Sequence, residues 1–196
     1  IMKLIPKKRQ TMLFSATMPA PILRLAAKHM TLPIHIEVAP SGTTVECVDQ
    51  EVYVMRKEDK YRQLEKILKE YKGSVLVFTR TKYGAKHLAH NLKQSRHEVA
   101  EIHSNLSFNQ RQESMAGFKS RKYRILIATD IAARGIDVSD IELVVNYDLP
   151  DDSEDYVHRI GRTARAGTQG KAISFALSSQ GKEIRSIERL INKKLT

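Results

Sequence analysis

The chain has 196 residues, 41% of them hydrophobic, with 33 Lys and Arg against 22 Asp and Glu for a formal net charge of +11; that is enough for one complete α/β domain and part of another, and it makes a polyanion, either nucleic acid or an anionic membrane surface, the first electrostatic expectation. A single cysteine, Cys47, excludes an internal disulfide and suits a reducing compartment. No apolar run approaches the length of a bilayer span and no signal peptide opens the chain, so the expectation is a soluble, unsecreted protein without a membrane partner, cytoplasmic or, in a eukaryote, nuclear.

In chain order, TMLFSAT (11–17) has the composition of a strand, the stretch from Pro19 through Met30 is an amphipathic helix, and PIHIEV (33–38) is a second strand. APSGTT follows with the Pro, Gly and Thr content of a linker. One strand, one helix and one strand cannot enclose a core, so residues 1–38 are expected to be the tail of a preceding domain, 39–46 a linker, and 47–196 a complete domain. Within the latter, six β-rich runs, QEVYVM, SVLVFT, EVAEI, RILIAT, IELVVNY and KAISFAL, alternate with helical patterns over Lys57–Tyr71, Lys82–Gln94, Phe108–Ser120, Ser153–Ala164 and Gly181–Lys193. This alternation predicts βαβ units around a mainly parallel sheet, and the unbroken VLVF and ILIA predict strands covered on both faces. Ser107 followed by Gln110 has the form of a capping box and sets a helix start at Phe108.

Ligands of open α/β sheets gather just beyond the carboxyl ends of strands. Arg80-Thr81-Lys82 follows one such end, and the segment from Asp130 through Arg134 and Gly135 to Asp137 follows another. The second offers backbone N–H groups and a close-approach glycine to an anion. Its aspartates do not suit a phosphate: Asp137 could bond a ribose hydroxyl and Asp130 a nearby arginine. HRIGRTARAG concentrates His158, Arg159, Arg162 and Arg165 with no acid among them. On a continuous helix His158, Arg162 and Arg165 fall at i, i+4 and i+7, on one face, where like charges repel unless an external anion completes them.

Together, SAT (15–17), VFTRTK (77–82), ATDIAARGID (128–137) and HRIGRTARAG (158–167) resemble, in that order and spacing, motifs III to VI of the DEAD-box RNA helicases. The resemblance covers nearly the whole chain. It implies an α/β, three-layer RecA-like domain, the C-terminal one of the motor, preceded by the end of the N-terminal one. In that family ATP lies between the two RecA-like domains. The resemblance makes Arg162 and Arg165 arginine fingers, with His158 and Arg159 as phosphate-proximal or inter-domain partners, and matches Asp137 and Gly135 to the nucleotide. RNA-backbone contacts are implied at Arg80, Thr81, Arg111, Thr129, Arg134 and Gly135, without base specificity. Ser15, Ala16, Thr17 and Asp130 are implied to couple hydrolysis to unwinding or to join motif V to motif VI.

Two positions depart from the family pattern. Phe108 stands where a glutamine is usual in Gln-x-x-Arg, of which Arg111 is retained, and Ala164 replaces the middle glycine of GRTGR; alanine there is expected to continue the helix. Neither a G-x-x-x-x-G-K-[ST] loop nor Asp-Glu-Ala-Asp occurs, so the Mg²⁺ ligands for ATP are expected in the N-terminal domain, no metal site is expected here, and this chain alone is expected to be a monomer inactive in hydrolysis. His87 and His90, at i and i+3 without a third ligand, are set aside as a metal site, as is a Ser104-His103 triad lacking a nucleophile elbow. The competing readings are a DNA-directed relative with the same motor and a non-enzymatic basic α/β module; HRIGRTARAG argues against the module.

Overall fold

The computed structural model describes residues 5, 6, 8–15, 18, 20–36, 47–133, 141–164 and 169–195. The chain divides into two units, Ile1–Ser41 and Gly42–Thr196. In the first, helix α1 (Ala20–His29) forms as its periodicity predicts and ends on Lys28 and His29, cations that suit the carbonyl end of a helix. No residue of α1 is buried. Neither of the two strands expected around it appears among the described residues: 11–15 and 33–36 carry no ladder, and Phe14, Ile34 and Ile36 are exposed. Strand composition alone is insufficient, because extended backbone is stabilised only where a neighbouring strand takes up its N–H and C=O groups.

In the second unit all six predicted strands appear: β1 (Val48–Val54), β2 (Ser74–Phe78), β3 (Val99–Ile102), β4 (Ile125–Ala128), β5 (Ile141–Asn146) and β6 (Gly170–Ala176). They make one sheet in the order β1-β6-β5-β2-β4-β3, every pair parallel. Parallel neighbours need crossovers, supplied by helices α2 (Lys60–Glu70), α3 (Lys82–Gln94), α4 (Phe108–Lys119), the single turn α5 (Asp130–Ala133) and α6 (Ser153–Ile160); α7 (Gly181–Ile191) follows the last strand. Connections running toward the β3 edge carry α2 and α3 on one face, and those running back carry α4 and α6 on the other, as crossovers of one hand require.

This two-sided cover explains the unbroken apolar runs. Val75, Val77, Ile125 and Ile127 pack with Leu64, Leu68, Leu88 and Leu92 of α2 and α3. Leu76, Phe78, Leu126 and Ala128 pack with Phe118, Tyr156, Ile160 and Ile187 of α4, α6 and α7. Side-chain alternation along one strand thus feeds two separate cores. The capping box is present, with Ser107 Oγ accepting from Gln110 N at 3.3 Å and Gln110 Oε1 from Ser107 N at 2.9 Å.

Candidate nucleotide and nucleic-acid interface

Because every strand runs the same way, Thr79-Arg80-Thr81, His103, Thr129-Asp130 and Tyr147-Asp148 all emerge at one edge of the sheet. Their first residues stay in register: Thr79 N donates to Ala128 O at 3.0 Å, Thr129 N to Ile102 O at 3.3 Å, and Asp148 N to Phe78 O at 3.3 Å. Side chains leaving these ends therefore start from fixed backbone.

The centre of the edge is a buried guanidinium. Arg159, on the last turn of α6, has a side chain only 2% exposed and binds Asp130 through both carboxylate oxygens, Nε to Oδ1 at 2.6 Å and Nη2 to Oδ2 at 2.8 Å. Its Nη1 donates to Asn146 Oδ1 at 3.2 Å and Asp148 O at 2.6 Å, and its central carbon lies 5.1 Å from the Phe78 ring centroid. A second buried cation continues the network: Lys60 Nζ donates to Tyr147 O at 2.7 Å and to Asp148 Oδ1 at 2.8 Å. Asp148 Oδ2 accepts from Arg80 N at 3.2 Å. The Arg80 guanidinium donates to Leu149 O at 3.3 Å and lies 3.4 Å from Asp151 while remaining partly exposed.

The helical extent expected of the basic segment needs correcting. The helix does not run to Ala164: Gly161 caps it, its N–H bonded to Val157 O at 3.0 Å, and Arg162 N and Thr163 N donate back to Arg159 O and Ile160 O, each at 3.1 Å. His158 and Arg162 therefore do not share a continuous helical face. Thr163, 2% exposed, anchors the turn by donating its hydroxyl to Ile141 O. Ala164 has φ of 54°, the left-handed region in which a β-carbon is penalised, so alanine does not extend the helix but replaces a glycine where glycine is the unstrained choice. Arg159, which the resemblance makes a phosphate-proximal or inter-domain partner, has its side chain turned inward, its N–H groups donating to Asp130, Asn146 and Asp148.

Gly170 explains how β6 starts so close to this turn. A Cβ there would lie 2.5 Å from Thr163 Oγ1 and 2.6 Å from Ala164 N. Arg162 is half-buried and donates from Nε to His158 O at 3.2 Å. His158 Nδ1 is 3.8 Å from Asp155, while its Nε2 is buried without a hydrogen-bond partner among the described residues. Thr81 caps α3, accepting from Gly84 N at 3.0 Å, and is exposed. The carbonyl of Thr129 is taken by Ala132 N at 3.0 Å and Ala133 N at 2.9 Å. Arg111 is half-buried in the first turn of α4. Arg134, Gly135, Asp137, Arg165, Ala16 and Thr17 lie outside the described residues, and Ser15 belongs to the other unit. His87 and His90 are exposed on α3, beside Asn91 and Gln94 respectively.

Lys60, Asn146 and Asp148 were not singled out from the sequence. Asn146 carried a signal, a polar residue closing an apolar strand run; Lys60 carried none, because its partners lie 87 and 88 residues away.

A parallel sheet flanked by helices, with its carboxyl edge tied together by an Arg–Asp clamp, is the architecture of a RecA-like helicase domain. Residues 59–167 match the family model described as the helicase conserved C-terminal domain. The chain is 43% identical over 192 residues to an ATP-dependent RNA helicase, DbpA, of Bacillus subtilis, a match covering 97% of this chain and 40% of that protein. It also resembles the crystal structure of a DEAD box protein from Methanococcus jannaschii, with 40% identity, a TM-score of 0.73, and coverage of 99% of this chain and 52% of that one. S. cerevisiae Dbp5 bound to RNA and ADP BeF3 matches at 30% identity and a TM-score of 0.88, over 99% of this chain and 53% of the other. The chain belongs to the DEAD-box RNA helicases and contains their C-terminal helicase domain. It spans about 40% of the length of the curated relative.

Proposed function

We propose that this chain is the C-terminal half of an ATP-dependent RNA helicase that closes on a preceding RecA-like domain when ATP and RNA bind. Residues 1–38 are the end of that preceding domain and 39–46 the linker. Arg162 and Arg165 act as arginine fingers on the phosphates, with His158 beside them, Asp137 and Gly135 meet the nucleotide, and Arg80, Thr81, Arg111, Thr129, Arg134 and Gly135 hold the RNA backbone without reading bases. The whole protein works in the cytoplasm or, in a eukaryote, in the nucleus. Local duplex unwinding then follows from coupling closure to a strand held without reading its base sequence.

The observation that carries this reading is the Arg159–Asp130 clamp at 2.6 and 2.8 Å. It fixes the residues after β4 against the turn that follows α6, the two segments to which the family resemblance assigns nucleotide contacts. Arg159 is thereby a positioning residue, and the half-buried Arg162 emerges three residues beyond it from a pinned turn. Guanidiniums held this way fit a triphosphate, whose hydrolysis supplies the driving energy. The Mg²⁺ ligands are assigned to the N-terminal domain, because this sequence holds neither a G-x-x-x-x-G-K-[ST] loop nor Asp-Glu-Ala-Asp.

The test is RNA-stimulated ATP hydrolysis by the chain joined to its N-terminal RecA-like domain, with Arg162→Ala and Arg165→Ala. An arginine finger contributes roughly 10³- to 10⁵-fold in rate, so each variant should lose at least about 10³-fold. Turnover at the parent rate by both would overturn the finger assignment.

A further inference from the structure

Among the described residues of 47–195, the large apolar side chains left exposed are Tyr53, Val54, Tyr83, Phe108, Ile131 and Leu190. All but Leu190 stand at the carboxyl edge of the sheet: Tyr53 and Val54 end β1, Tyr83 is the second residue of α3, Phe108 the first of α4 and Ile131 the second of α5. Isolated exposed apolar residues mean little, but their confinement to one edge marks a contact surface. The cations Arg80, Lys82 and Arg111 are interleaved with them, and Lys82 Nζ lies 5.3 Å from the Tyr83 ring centroid. An apolar surface threaded with cations fits a polyanion that also presents flat apolar faces, which describes single-stranded nucleic acid better than it does a protein surface.

Phe108 is the best-placed member. Its ring is on a residue 72% exposed, yet the backbone beneath is fixed on both sides. The capping box holds Ser107 and Gln110 at 3.3 and 2.9 Å. Upstream, His103 is 3% exposed; its Nδ1 accepts from Asn105 N at 3.3 Å, its Nε2 lies 3.3 Å from Glu101 Oε2, and its carbonyl accepts from Leu106 N at 3.1 Å. An aromatic ring with two side-chain torsions on a fixed backbone loses little freedom when it is covered. Arg111, three residues on, shares its helix face and adds a cation beside it.

We infer that Phe108 is a stacking platform for one base of a bound single-stranded RNA, with a neighbouring phosphate taken by Arg111. The inference rests on the RNA-helicase reading above and departs from the family pattern, in which a glutamine at this position offers hydrogen bonds instead. Every base has a π-face, so such a contact is tolerant of sequence and is compatible with a backbone-directed motor.

The experiment measures binding of fluorescently labelled single-stranded RNA to the helicase with both RecA-like domains, in the presence of a non-hydrolysable ATP analogue, across a range of salt. Phe108→Ala should weaken binding by about fivefold to a hundredfold, the range seen on removing base–aromatic stacking, with the salt slope unchanged because no phosphate contact is lost. Phe108→Trp should restore binding. Arg111→Ala should instead reduce the salt slope by about one. On RNA carrying abasic residues the parent and Phe108→Ala should bind alike. Equal affinity of parent and Phe108→Ala for intact RNA, or the same loss on abasic RNA, overturns the stacking inference alone. A parent protein whose ATP hydrolysis ignores RNA overturns the helicase reading beneath it.

Discussion

Replacing Asp130 by alanine removes the only carboxylate bonded to the buried Arg159 guanidinium among the described residues. Two charge-assisted hydrogen bonds, at 2.6 and 2.8 Å, are lost, and among the described residues the 2% exposed guanidinium keeps the Asn146 and Asp148 oxygens. Removing one partner of a buried ion pair costs about 3–5 kcal/mol, mostly because the remaining charge is stranded. Asp130 is itself 27% exposed, so water entering the vacated space recovers part of that, and the expected loss is at the low end, about 3 kcal/mol. For a domain of this size that lowers the thermal midpoint by about 6–12 °C. Urea unfolding of the parent, Asp130→Ala, Arg159→Met and the double variant gives the coupling energy directly. The double variant should be more stable than Asp130→Ala, since it no longer buries an uncompensated cation. If Asp130→Ala unfolds within about 1 kcal/mol of the parent, or the double variant is the least stable of the four, the clamp does not act as described.

Two further outcomes follow from the same geometry. At Ala164, φ of 54° penalises alanine by about 1 kcal/mol, partly offset on substitution by the greater chain entropy of glycine; Ala164→Gly should gain about 0.5 kcal/mol and Ala164→Val should lose about 2 kcal/mol, read as shifts in urea midpoint. Burial pushes the Tyr147 and Tyr156 phenols up to about 12 from 10. A raised folded-state value means that stability is intact below pH 10, the unfolded value, and is lost as pH climbs toward 12. Phenolate absorbance should therefore appear together with unfolding in that window, and Tyr156→Phe, which also gives up the hydrogen bond to Gln50 Oε1 at 3.0 Å, should make the decline shallower.

Strand and helix positions were legible wherever the pattern was long and its cover two-sided. The bounds of α3 agree with the periodicity at both ends, and α4 starts on its capping box. Elsewhere tertiary contacts outweighed local pattern. The charge pattern of α6 continues to Ala164, but Gly161 and the Thr163 hydroxyl on Ile141 O end the helix at Ile160. The single turn of α5 is too short to show a period, and the strands expected at 11–17 and 33–38 have no ladder to join in residues 11–15 and 33–36. The same limit applied to the site. That Asp130 suits an arginine was visible from its chemistry; that the arginine is Arg159, 29 residues away, depends on β4 and α6 meeting at one edge.

Burying an ion pair is a poor way to gain stability, since apolar residues of similar volume often serve as well or better. Arg159 and Asp130 are better explained by what a hydrophobic contact cannot supply. A planar guanidinium bound through two parallel bonds, with two more to Asn146 and Asp148, fixes angle as well as distance, and each partner lies at a strand end or in the loop immediately beyond it. Arg162 follows after a glycine-capped turn whose next residue is bonded to β5. In the proposed motor, a finger mislaid by about 1 Å costs on the order of 10²-fold in rate, so the buried Arg159 would serve by holding in place the turn that carries the half-buried Arg162. The ordering of effects is then testable: Arg159→Lys, which keeps the charge and loses the fork, should retain more stability than Arg159→Met yet still impair RNA-stimulated hydrolysis, whereas hydrolysis at the parent rate in Arg159→Lys would mean that charge alone, and not planar geometry, positions the turn.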